Sequence, residues 1–153
     1  MTMTMTDASA ALDTRRHLPF PADTVYAAFA DPACLAAWWG PDGFTNTFHA
    51  FEFAPGGRWD YTMHGPDGRD YPNRSVFAAL DPGRRVVIEH VNAPLFTLTV
   101  TLRAADGGTD VHWHQDFRDP AVAEALRAVC EPSNEQNLDR LHAALRARHP
   151  TGG

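Results

Sequence analysis

Three side chains at alternating positions, His112, His114 and Asp116, are of types that hold divalent metals. On an extended strand, residues two apart point the same way, so all three share one face. That face has the opposite parity to Val111, Trp113 and Phe117. It is therefore expected to meet solvent or a partner subunit, and no metal site is assigned to it. His90 is the second titratable group of interest, because an imidazole changes charge near neutral pH and can orient a polar ligand group. Paired with a tyrosine, it could also serve as an acid and base. Nucleophilic chemistry has no support: Ser9, Ser75 and Ser133 stand in no G-x-S-x-G elbow, and Cys34 and Cys130 lie outside any CxxC or zinc-finger spacing. Gly56-Gly57 and Gly107-Gly108 suit hairpins and lack a phosphate-loop context. No catalytic residue and no cofactor is assigned.

The elements that must position these groups are delimited by Pro and Gly. Leu12 to Leu18 reads as a first strand, followed by a short helix with Val25, Ala28 and Phe29 at helical spacing. A second helix opens at Pro32 and carries Leu35, Trp38 and Trp39 before Gly40-Pro41 stops it. From Phe44 to Phe117 the period becomes two, with turns at Pro55-Gly56-Gly57, Pro66-Asp67-Gly68, Asp81-Pro82-Gly83, Asn92-Ala93-Pro94 and Asp106-Gly107-Gly108. These predict six strands in an antiparallel meander, because the connections are too short for parallel crossovers. Pro72 lacks a ladder donor and belongs at an edge or bulge. After Asp119-Pro120 the helical period returns. Glu131-Pro132 predicts a break, and Ser133-Asn134-Glu135-Gln136 has the spacing of a capping box that would start a final helix. Leu138, Leu141 and Leu145 give that helix an apolar face.

The predicted architecture is α+β: about seven antiparallel strands in a curved sheet wrapped around a long C-terminal helix. A single domain over 12–149 follows, with a disordered tail at 1–11 and a frayed end at 150–153. Composition agrees, since 153 residues with 44% hydrophobic and 21% charged side chains suit one globular unit. The formal charge of −6 argues against nucleic acid as a partner. The Met1–Asp7 stretch lacks the basic and apolar regions of a signal peptide, and no run of residues is long and apolar enough to span a membrane, so a cytoplasmic location is expected.

On each strand the parity richer in large apolar residues is taken as the interior. It places Tyr61, Met63, Tyr71, Asn73, Phe77 and His90 on one wall, continued by Phe96, Leu98, Trp113 and Gln115. Trp39 borders its mouth, and Leu138 and Leu141 face it from the last helix. Apolar walls with a few polar points characterise small-molecule pockets. These thirteen residues are the candidate ligand-binding set.

Several segments resemble one family: Trp38-Trp39-Gly40-Pro41-Asp42-Gly43-Phe44, Pro55-Gly56-Gly57-Arg58-Trp59, Met63-His64-Gly65-Pro66-Asp67-Gly68 and Asn134-Glu135-Gln136-Asn137-Leu138-Asp139-Arg140-Leu141. Together they are similar to bacterial relatives of the activator of heat-shock-protein-90 ATPase, C-terminal-domain type, within the SRPBCC group of helix-grip proteins. The resemblance covers about residues 13–148 and implies a cavity between sheet and last helix. It departs at Pro132, where relatives run small or glycine-rich residues into that helix. The group hosts lipid carriers, cyclases, dehydratases and co-chaperone domains, so the fold alone does not choose a function. The leading expectation is a binding protein for an apolar, aromatic or lipid-like small molecule. The alternatives are a cyclase- or dehydratase-type enzyme using His90 and a tyrosine, and a chaperone-binding module. The last ranks lower because these residues do not include the additional N-terminal domain of full co-chaperones. The resemblance also implies homodimerisation, and the polar face carrying Thr97, Thr99 and Thr101 beside His112 and His114 is the expected surface.

Overall fold

The computed structural model describes residues 9–149, so the expectations for the Met-Thr repeat and for 150–153 lie outside the described residues. Its order is β1 (Ala11–Leu18), α1 (Ala22–Ala30), α2 (Pro32–Trp38), β2 (Thr45–Phe51), β3 (Arg58–His64), β4 (Asp70–Asp81), β5 (Arg85–His90), β6 (Phe96–Ala105), β7 (Gly108–Asp116) and α3 (Pro120–Arg148). The seven strands form one antiparallel sheet in the order β1-β7-β6-β5-β4-β3-β2. Every turn expected from the Pro and Gly clusters connects two strands.

Ala10 and Ala11, expected within the tail, join the sheet. Ala11 pairs with Asp116 in the sheet, and the Ala10 carbonyl accepts a hydrogen bond from the Phe117 amide at 2.8 Å. Pro72 lies where β4 runs past the end of β5, whose last pair is Ser75 with His90. It is paired with Thr62 on one side only, so its missing N–H costs no ladder bond on the other.

The sequence break expected at Pro132 does not occur, and this corrects the reading of two segments. α3 runs unbroken for 29 residues with Pro132 inside it, and Ser133 to Gln136 lie within the helix, where they cap nothing. The true N-cap is Asp119, whose side chain accepts from the Ala121 amide at 2.9 Å. Pro132 is exposed and lacks the amide that would reach back one turn. One residue later, Ser133 Oγ donates to the Val129 carbonyl at 2.8 Å. Apolar contacts on both sides of the proline hold the two halves in line. Val122, Leu126 and Cys130 pack with Leu12, Phe117 and Ala123, while Leu138, Leu141 and Leu145 are fully buried in the main core.

That main core is aromatic. Trp59 and Phe77 stack with ring centroids 5.6 Å apart, Trp59 and Tyr61 at 4.4 Å, and Trp39 lies 5.0 Å from Trp59 and 5.7 Å from Trp113. α3 finds its nearest backbone neighbours in β1, α2 and α1. Trp39 packs between Trp59 of β3 and Trp113 of β7.

Candidate ligand site

The inner face of the sheet carries a polar patch whose members the register makes neighbours. Trp59 is paired with Ser75, Ser75 with His90, His90 with Phe96, and Tyr61 with Asn73. Directly opposed side chains on one face lie about 4.5–5.5 Å apart at Cβ, so these groups share one environment.

His90 anchors the patch. Its Nδ1 lies 2.7 Å from the Pro94 carbonyl and its Nε2 2.6 Å from Asn73 Oδ1, with Phe96 stacked on the ring at 4.6 Å. Burial lowers its pKa, and backbone hydrogen bonds from the Asn92 to Pro94 turn only partly offset this. Both oxygens facing the ring, Pro94 O and Asn73 Oδ1, are acceptors, because Asn73 directs its Nδ2 to the Tyr71 carbonyl at 2.8 Å, so a neutral ring donates to one of the two.

Next to this pair, Trp59 Nε1 and Ser75 Oγ are buried with no hydrogen-bond partner. Ser75 Oγ lies beside the Tyr61 hydroxyl without forming a bond of good geometry. The Tyr61 oxygen itself accepts from Trp39 Nε1 at 3.1 Å, and burial pushes the phenol far above its ordinary pKa, so it stays protonated. An unsatisfied buried polar group costs about 1–3 kcal/mol, which makes two such atoms on one patch notable.

The sheet reaches α3 through a second polar link, Asn134 Nδ2 donating to Gln115 Oε1 at 3.0 Å. The sequence reading found Gln115 but not Asn134, whose place on the inner side depends on α3 continuing through Pro132. It also missed Arg140, which binds backbone carbonyls from Ala37 to Phe44 and fixes the loop behind Trp39.

The thirteen candidates divide by environment. Phe77, Leu98, Trp113, Leu138 and Leu141 are at most 2% exposed and locked in packing. Trp39, Tyr61, His90 and Gln115 are buried but polar at one end, and Asn73, Met63 and Phe96 are half-buried. Tyr71 has the expected parity, yet it lies beyond the covered part of the sheet and is 40% exposed. The loop residues Val91 and Leu95 and the helix residue Val129 are exposed apolar groups. Two solvent-open concavities, of about 530 and 600 Å³, lie elsewhere, lined by residues such as Arg15, Arg103 and His112 in the first and Asp81, Arg84 and Leu102 in the second. Leu138 and Leu141 share one buried cluster with the tryptophan and phenylalanine rings, so the cavity expected between the sheet and the last helix is not seen at that point.

A seven-stranded antiparallel sheet gripping a long C-terminal helix, with two short helices after the first strand, defines the helix-grip class. The family model described as Activator of Hsp90 ATPase homolog 1-like protein matches residues 19–146, and the chain belongs to that family. Among solved structures, it is similar to a protein from Nitrosomonas europaea at 18% identity and TM-score 0.83, covering 93% of this chain and 97% of that one. A Rhodobacter sphaeroides protein is 26% identical with TM-score 0.80, over 92% and 93% of the two chains. The AHSA1 protein from Silicibacter pomeroyi is 21% identical with TM-score 0.74, over 92% and 100%. No curated protein matches the chain. Among the described residues no helix is long and apolar enough to cross a membrane.

Proposed function

We propose that this chain binds a small, uncharged, largely aromatic or apolar molecule through one carbonyl or hydroxyl oxygen. The ligand would enter beside the N-terminal half of α3, where Phe96, Leu126 and Cys130 are half-buried in one apolar cluster. The observation that carries this reading is the pair of orphaned buried groups, Trp59 Nε1 and Ser75 Oγ. An indole N–H can only donate and a hydroxyl can donate, so an oxygen acceptor satisfies both. The site offers no cation to such a ligand: burial favours the neutral form of His90, and Arg140 is committed to backbone carbonyls. Binding is supported over proton transfer because both His90 nitrogens face oxygens of the protein and not open space, and the Tyr61 phenol is held neutral.

Benzophenone, diphenylmethane and palmitate separate the possibilities, with binding read by native mass spectrometry and thermal shift. Benzophenone is expected to bind, diphenylmethane to bind at least about tenfold more weakly for want of the oxygen, and Ser75→Ala to erase the difference. Failure of all three compounds to bind, or equal binding of the first two, overturns the proposal.

A further inference from the structure

On the opposite, solvent-facing side of the sheet, the two histidines that drew attention in the sequence gain a third partner from the far end of the chain. It is Asp13 and not Asp116, whose carboxylate instead accepts from the Arg118 amide at 2.8 Å. The register sets Asp13 of β1 directly opposite His114 of β7 and diagonal to His112. A single carboxylate oxygen, Asp13 Oδ1, lies 2.6 Å from His112 Nε2 and 2.7 Å from His114 Nδ1. The three donor atoms lie within 4.8 Å of one another, the only such trio of candidate ligands among the described residues.

We infer that Asp13, His112 and His114 form a binding site for a divalent cation of the zinc class on the outer face of the sheet. Two imidazoles and one carboxylate are the donor types that cobalt and zinc share. Bonds of about 2.0–2.2 Å to such donors set neighbouring ligand atoms roughly 3.2–3.6 Å apart in a tetrahedron. The close Asp–His contacts therefore need to open by roughly 0.5–1 Å, a movement available to side chains that are 31–46% exposed. In the metal-free protein each ring nitrogen facing Asp13 donates a proton to it. To ligate a cation, each ring presents the lone pair of the nitrogen that faces Asp13 and carries its proton on the other nitrogen. Two further features favour ligation over a simple hydrogen-bonded cluster. Both histidines are held on one rigid central strand, and the donors come from only two adjacent strands, so the spacing is fixed by the sheet and not by loops. The exposed side leaves the remaining coordination positions to water. The other nitrogens of the two rings have no hydrogen-bond partner among the described residues, so the supporting shell that strengthens metal centres by about 10–100-fold is missing, and micromolar affinity is expected.

The test uses the full chain without an affinity tag, treated with EDTA and dialysed. Cobalt chloride is added while the visible d–d bands are followed, and zinc chloride is then titrated by calorimetry. One cation per chain is expected, with zinc displacing cobalt. Asp13→Asn, His112→Gln and His114→Gln should each weaken zinc binding by about tenfold or more, because loss of a direct ligand costs at least as much as loss of an outer partner. His64→Gln, which removes a different histidine paired with Asp70, should leave it unchanged. Circular dichroism in EDTA confirms that each variant is folded; should one of the three fail to fold, the other two decide. No saturable uptake at millimolar zinc overturns the site. So does wild-type affinity in the folded variants, or loss of binding in His64→Gln.

Discussion

Arg140 Nη1 lies 2.8 Å from the carbonyl oxygen of Pro41, joining α3 to the loop that follows α2 across nearly a hundred residues of sequence. The same guanidinium reaches the carbonyls of Trp39 and Gly40 through Nη1 and those of Ala37 and Phe44 through Nη2. These acceptors include orphan carbonyls at the C-terminal end of α2, where a cation is favoured. The loop needs this anchor because Gly40 adopts φ +99°, and a Cβ there would meet Met63 Cε at 2.7 Å. Replacing Arg140 with alanine strands several half-buried carbonyls, with an expected loss of about 2–4 kcal/mol in urea unfolding. Arg140→Lys should recover less than half of it, since an ammonium cannot span both sides of the loop.

The pH dependence of stability should carry the mark of His90. In the unfolded chain this group titrates near 6.5, and burial lowers its value in the folded protein. Above pH 6.5 neither state takes up the proton, and stability is at its full value. As pH falls below 6.5 the unfolded chain protonates first, so stability declines until the folded ring also titrates. His142 adds to the same slope, as burial and then the nearby Arg146 and Arg16 lower its value too. Thermal unfolding between pH 7.5 and pH 5 should therefore show a falling midpoint, and His90→Gln should flatten part of that fall. An unchanged slope in the variant would mean that His90 titrates alike in both states.

Pro132 offers a direct measure of what the uninterrupted helix costs. It is exposed and replaceable, and alanine would restore one backbone bond within α3. Pro132→Ala is expected to raise stability by roughly 1–3 kcal/mol, read from denaturant midpoints at unchanged slope. A destabilised variant would show that the proline itself favours the position in which α3 reaches both apolar clusters.

Ser75 tests the proposed site from the side of stability. Its hydroxyl is buried without a partner, so Ser75→Ala should leave the ligand-free protein unchanged or stabilise it by up to about 1 kcal/mol. Binding of benzophenone should weaken in the same variant. A loss of stability above about 1 kcal/mol would instead assign the hydroxyl to a hydrogen bond with Tyr61.

The strands were legible because turn residues bound them and apolar residues recur with period two; Phe96 to Leu102 alternates between apolar residues and threonine without a fault. The inner face followed from parity, which is why Tyr61, Asn73, His90 and Gln115 could be placed there. What stayed hidden depends on neighbours remote in sequence. Asp13 joins His112 and His114 only through the pairing of β1 with β7, and Arg140 finds its carbonyls only when α3 docks on α2. The helix break was misjudged at Pro132 because local propensity was outweighed by burial on both flanks, and with it went the position of Asn134. The state of the interior, dense under Leu141 and polar under Gln115, is a property of packing that periodicity does not report.

The pairing of β1 with β7 also sets an order on how the chain can form. Ala11 meets Asp116 across roughly a hundred intervening residues, so the first strand emerging from a ribosome has no permanent neighbour until the last strand has been synthesised. The consecutive hairpins from β2 to β7 can zip as they appear, with only local loops to close. Sealing the sheet is then a late event, and the amino-terminal segment must remain uncommitted and unaggregated for most of translation.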